Sequence, residues 1–245
     1  MNNETVGISA ELAIADTFNV EVSPLYRVRG DEEVAESIRN IVYNIFEECN
    51  IPTPVEHIAE NQSPIDFILE NDETLSVKTN QKKLGKVAPQ IIGQPTSDTY
   101  FNFICGKFGY DVNIELARRG MQDTYENRAF LFKEFSMNHI CEMLSEYWQH
   151  IFECDHYIHF YNVLDVNGNI SYNAKCIVLR NLPANPYWDI NHISFTQNLC
   201  TWNESNVLKY YGISIGEFQA HNNRNCLKFR FNIKGILELL KKGLI

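Results

Sequence analysis

Between residues 31 and 79 the chain changes its hydrophobic period, and this change restricts the possible folds more than any other feature of the sequence. Val34, Ile38, Ile41, Val42, Ile45 and Phe46 recur at the spacing of one helix face, which marks an amphipathic helix over 31–48. Asp31 is placed to cap its N-terminus, and Pro52 and Pro54 end it. From residue 65 the pattern is different. The run I-D-F-I-L, the turn residues N-D-E and the alternating T-L-S-V-K-T predict a β-hairpin over 65–79. A helix stripe and a sheet face must each bury their apolar side, and packing one on the other gives an α/β or α+β fold. The rest of the chain repeats the mixture. Helices are predicted over 7–18 (Ile8, Leu12, Ala13, Ala15), 97–108 and 124–151. Strands are predicted over 156–164 and 170–179, joined by the turn D-V-N-G-N, and over 192–197. The C-terminus reads as a strand, L-K-F-R-F-N-I, followed by a helix.

With 245 residues, 44% of them hydrophobic, the chain suits one compact domain over 1–245 rather than disorder or a repeat array. No apolar run approaches the ~20 residues of a membrane span. The N-terminus lacks the basic and apolar segments of a signal peptide, and seven cysteines form no CxxC pair. Together these suit reduced thiols in a cytoplasm. The net charge of −10 argues at first against a polyanionic partner, but the charge is unevenly spread. Residues 31–77 hold twelve acids and one base, whereas 78–107 and 217–245 each carry a net +4. Two basic segments in an acidic protein can form a local phosphate-binding face.

The strongest chemical signal lies in the hairpin. Ser76 and Lys78 are two residues apart and share one strand face. A turn at Asn71–Glu73 brings Asp66 beside Lys78. A carboxylate held against an ammonium at a strand end suits phosphodiester hydrolysis. The carboxylate ligates Mg²⁺, and the lysine supports the attacking water and the developing anion.

Pro64-Ile65-Asp66 with Ser76-Val77-Lys78 resembles the PD-(D/E)xK nuclease motif in the form found among type II restriction endonucleases. Two features depart from that pattern. The proline stands two positions before Asp66 rather than one, and Ser76 occupies the usual place of an acid. Some restriction enzymes of this superfamily also have S-V-K and draw the second carboxylate from a neighbouring helix. By that resemblance Glu11 is the candidate second metal ligand, with Glu70, Asp72 and Glu73 as rivals in the turn, and Ser76 is a hydroxyl lining the catalytic site. The resemblance implies a restriction-endonuclease-like core within about 1–110, a mixed central β-sheet with helices on both faces, and Mg²⁺-dependent cleavage of double-stranded DNA at a short palindromic site. It also implies a homodimer and a cognate DNA methyltransferase as functional partner.

Two further segments are similar to parts of such enzymes. After Lys78 come Lys82, Lys83 and Lys86, suited to phosphates, and then Gln90 and Gln94. Within 190–235, Gln219, His221, Asn222, Asn223 and Arg224 are residue types that read base edges in the major groove. The alternating Lys228-Phe229-Arg230-Phe231 directs its aromatics inward and its cations outward. Other signals are weaker. His150, Cys154, His156 and His159 match no common zinc spacing. Cys141 and Cys154 have no evident base, and no phosphate-binding glycine loop occurs. The aromatic run from Tyr147 to Tyr161 reads as core or dimer interface. Two other readings stay open: a nicking or repair nuclease of the same superfamily, and a non-catalytic DNA-binding protein in which Ser76 marks a decayed site.

Overall fold

The computed structural model describes residues 1–59, 63–89, 92–221 and 225–245. In chain order the helices are α1 (Asn3–Phe18), α2 (Pro24–Arg27), α3 (Glu32–Cys49), α4 (Ser97–Phe108), α5 (Val112–Arg118), α6 (Tyr125–Asn138), α7 (Ile140–Phe152) and α8 (Ile233–Lys241). The strands are β1 (Pro54–His57), β2 (Phe67–Leu69), β3 (Thr74–Thr79), β4 (Lys86–Val87), β5 (His156–Tyr161), β6 (Lys175–Arg180), β7 (Ile193–Phe195), β8 (Ser205–Tyr210), β9 (Ile213–Ala220) and β10 (Leu227–Asn232). They form two compact units rather than the one expected around a single central sheet. One comprises Met1–Gly85 and Ile151–Ala184, the other Lys86–His150 and Asn185–Ile245.

The first unit holds a sheet of order β1-β2-β3-β5-β6. It is mixed, as expected, because β3 and β5 run parallel while the other neighbours are antiparallel. Parallel neighbours need a long crossover, and here the connection carries α4 to α7. The sheet therefore draws on residues 156–180 and is not confined to the expected 1–110. Leu75, Val77, Ile158 and Phe160 project from one face and form a core with α1 and α3. Each such fully buried side chain contributes roughly 1.5–3 kcal/mol. Within this unit α1 and α3 pack on that one face, not on both.

Local rules account for the helix ends. The Asp31 carboxylate accepts the Val34 N–H at 3.1 Å, and Asn50 closes α3 in the left-handed region (φ 48°). The predicted turn after β5 also forms. Asp165 Oδ1 accepts the N–H groups of Asn167 and Asn169. The strands it was expected to join directly are shorter, 156–161 and 175–180, with an isolated bridge between Leu164 and Ile170.

The second unit holds a wholly antiparallel sheet of order β4-β10-β9-β8-β7. Phe218, Phe229 and Phe231 are fully buried, and Tyr147 stacks on Phe229 with centroids 4.2 Å apart. Tyr147, Trp148, Tyr157 and Phe160 are all fully buried, which places the aromatic run in the cores. The expected single helix over 124–151 divides at His139, which leaves helical geometry (φ −118°, ψ 33°) and stacks on Phe135. Gly235 lets α8 approach β9, since a Cβ there would lie 2.0 Å from the Ser214 carbonyl oxygen. Among the described residues no helix is long and apolar enough to cross a membrane.

Candidate active site

The site grows from the β2–β3 hairpin. Asn71 Oδ1 accepts the Glu73 N–H, and Asp72 adopts φ 65°, closing the turn. Phe67 then pairs with Leu75 and the Asp66 N–H bonds to the Leu75 carbonyl at 2.9 Å. This register sets Asp66, just before β2, against Ser76, Val77 and Lys78. Asp66 Oδ2 accepts the Val77 N–H at 2.5 Å, the Lys78 ammonium at 3.0 Å and the Ser76 hydroxyl at 3.5 Å. Lys78 Nζ also donates to the Val77 carbonyl at 3.1 Å. Ser76 is fully buried and donates to the Pro64 carbonyl at 3.0 Å. It therefore ties the segment before Asp66 to β3, and does not present an open hydroxyl to a ligand.

Glu11 reaches the same neighbourhood from α1. Its Oε2 accepts the Tyr26 hydroxyl at 2.8 Å and meets His57 Nε2 at 2.9 Å. Burial raises the Glu11 carboxyl above the usual range, and the negative charge of Asp66 raises it further, against the hydrogen bonds from His57 and Tyr26. Burial beside Glu11 likewise raises the Tyr26 phenol. Two carboxylates thus share a desolvated field with one ammonium. His57 and Tyr26 were missed by sequence reasoning, because nothing local to 26 or 57 connects them to Glu11.

The donor set fits Mg²⁺. The described hydrogen bonds to Asp66 and Glu11 fall on Oδ2 and Oε2, so among the described residues the second oxygen of each carboxylate accepts none. No group of three His, Cys, Asp or Glu residues suited to a metal occurs among the described residues. Mg²⁺ needs only one or two carboxylates and keeps several waters. Of the rival acids, Glu73 pairs with His156 at 2.6 Å, and Glu70 and Asp72 are exposed at the turn. Cys154 lies near Lys78, and burial pushes its thiol up to about 12, so it stays protonated at neutral pH.

The expected DNA-contacting residues divide between the units. In the first, Lys82 and Lys83 are exposed, with Lys82 Nζ donating to the Val166 carbonyl at 2.8 Å. In the second, Gln94 is exposed, while Lys86, Arg230 and Gln219 converge on the buried Glu217. Burial raises the Glu217 carboxyl, but Lys86, Gln219 and Arg230 outweigh it and hold the group below its ordinary range. His221 lies 3.7 Å from Glu204, and Lys228 is half-buried on β10. Gln90, Asn222, Asn223 and Arg224 lie outside the described residues. Glu217 was not anticipated, although an acid alternating with basic neighbours on paired strands could have suggested it.

No protein-family model and no solved structure matches the chain. Over 185 residues, 75% of its length, the chain is 36% identical to the type II restriction enzyme CviAII of Paramecium bursaria Chlorella virus 1. The match covers 46% of that protein, so the chain spans about half the length of this curated relative. The likeness to type II restriction endonucleases, read first from short motifs, therefore extends through three quarters of the sequence, and the chain is a relative of a type II restriction enzyme.

Proposed function

We propose that the protein is a sequence-specific type II restriction endonuclease that hydrolyses phosphodiester bonds of double-stranded DNA at a short palindromic site with Mg²⁺. The observation that carries this reading is the 3.0 Å contact between Asp66 and Lys78, with the Glu11 carboxylate close enough to feel the Asp66 charge. The residues fit the PD-(D/E)xK scheme with the second acid supplied from α1. Asp66 and Glu11 would hold the metal through their remaining oxygens, and the bound ion would polarise the phosphate and acidify a water. Lys78 supports the attacking water and stabilises the charge gathering on phosphorus. Val77 N–H and Ser76 keep Asp66 aimed, and Tyr26 and His57 do the same for Glu11. Lys82, Lys83 and Lys86 are proposed phosphate contacts, with Gln219, Lys228 and Arg230 on the recognition side. A homodimer matching a two-fold symmetric site, and a methyltransferase protecting that site, complete the proposal.

Plasmid digestion with and without Mg²⁺, followed by sequencing of the ends, tests this directly. Linear product with uniform ends is expected from the wild type, and none from Asp66→Ala or Lys78→Ala. Full cutting by either variant removes the active-site assignment, a nicked product favours the monomeric nicking reading, and a shifted but intact plasmid favours the non-catalytic one.

A further inference from the structure

Behind Lys78 the sheet contains a second polar chain, fully buried at Tyr157 and His159. His159 stands beside Lys78 in the parallel β3–β5 register and is wholly inaccessible to solvent. Its Nδ1 lies 2.9 Å from the Tyr157 hydroxyl, and its Nε2 lies 2.9 Å from Asn80 Oδ1. Asn80 Oδ1 also accepts the Gly85 N–H at 2.7 Å. A carbonyl oxygen can only accept, so His159 Nε2 carries a proton, and in the neutral ring Nδ1 accepts from the Tyr157 hydroxyl. Both ring nitrogens of His159 thus have a partner. Burial and the adjacent Lys78 ammonium push its titration down to about 3.

This chain ends on the segment that carries Lys82 and Lys83. The Asn80 N–H bonds to the Phe160 carbonyl at 2.9 Å, and the Leu164 N–H bonds to the Gln81 carbonyl at 2.6 Å. Asn80 Oδ1 then closes the loop from its far end at Gly85. Both ends of 80–85 are thus fastened to the strand that bears Lys78 and to its neighbour β5, while Lys82 and Lys83 face solvent.

We propose that the His159–Asn80 pair is a positioning element that fixes the loop 81–85 relative to Asp66 and Lys78, so that its lysines meet the phosphates beside the scissile bond. This rests on the nuclease reading above and adds residues to it that do not touch the substrate. A fixed loop binds without first having to be ordered, so its loss appears in affinity rather than in the chemical step.

The test compares wild type, Asn80→Ala and Asn80→Asp, with Asn80 chosen because it is only half-buried. Amide exchange over 80–86 is measured first. Asn80→Ala should exchange about tenfold faster at Gly85, and Asn80→Asp, which keeps the acceptor oxygen, should restore protection. Imidazole ¹⁵N shifts should show His159 as the neutral Nε2–H tautomer to below pH 5 in the wild type, with its titration raised in Asn80→Asp. Steady-state cleavage of a cognate duplex in Mg²⁺ is measured next. KM should rise about tenfold in Asn80→Ala, with kcat changed by less than about threefold. Unchanged exchange at Gly85, or a charged His159 at neutral pH, overturns the proposal. So does an unchanged KM in a variant whose loop has loosened, or a loss confined to kcat. Wild-type protein that neither binds nor cuts DNA overturns the nuclease reading and this proposal together, whereas cutting by the wild type with any of the preceding results overturns this proposal alone.

Discussion

Replacing Lys78 with methionine tests the geometry on which the site depends, and the structure sets the size of the effect. The side chains of Asp66 and Lys78 are 4% and 12% exposed. Methionine fills most of the lysine stem and removes only the ammonium. The Asp66 carboxylate then keeps the Val77 N–H at 2.5 Å and the Ser76 hydroxyl at 3.5 Å, but it still faces Glu11 without a cation. Removing one partner of a buried ion pair costs about 3–5 kcal/mol. The retained Val77 donor brings the expected loss to just below that range, about 2–3 kcal/mol. Asp66→Asn is milder, because its amide oxygen still accepts from Val77 and Lys78 keeps the Val77 carbonyl, so about 1–2 kcal/mol is expected. The double variant strands no charge. Its loss should fall short of the sum of the two single losses by about 1–3 kcal/mol. Urea unfolding of the four proteins at pH 7 without divalent cations closes this cycle. Additivity within about 0.5 kcal/mol would refute the reasoning, since it would mean that the two groups do not share one field in the folded protein. In the cleavage assay each single change should cost about 10²–10³-fold in rate, and the double change little more than either alone.

The Glu11 carboxyl has a folded-state pKa raised by burial and by Asp66, so the wild type loses stability as pH rises above the ordinary 4.5 and until the folded-state value is passed. Glu11→Gln should remove that slope and be the more stable protein at neutral pH while losing cleavage; a stability curve parallel to that of the wild type across this window would contradict the assignment. Mg²⁺ should stabilise the wild type against urea and leave Glu11→Gln unchanged, and equal stabilisation of both would place the ion elsewhere. Glu217 neutralises Lys86 and Arg230 from one buried position. Glu217→Gln should therefore tighten binding to non-specific duplex DNA and steepen the dependence of log K on log salt by about one. An unchanged salt slope would mean that this cation pair does not face phosphate.

Much of the site is legible in the sequence because its centre is local. Asp66 and Lys78 are joined by a short turn, and a hairpin whose second strand alternates apolar and polar residues leaves almost no choice of register, since a slip of one residue would turn Leu75 and Val77 out of the core. The helices over 7–18 and 31–48 are visible for the same reason: the stripe and the caps are written within each segment. Glu11 was reached only through the likeness to restriction enzymes, as helical periodicity says nothing about why a buried face should contain an acid.

Other features depend on contacts that no short window contains. Tyr26 and His57 lie 15 and 46 residues from Glu11 and meet it only once α1 packs against β1 and the chain following it. The pairing of β3 with β5 leaps over the whole segment carrying α4 to α7, so the tautomer of His159 and its grip on Asn80 follow from tertiary register alone. Lys86 and Arg230 look like free phosphate-binding cations in the sequence, and only the sheet β4-β10-β9 shows them sharing Glu217. The division is physical. Hydrophobic period and turn chemistry act over a few residues and determine which elements form, whereas the partners of a buried charge are chosen by the packing of elements distant in sequence, where desolvation makes each pairing count.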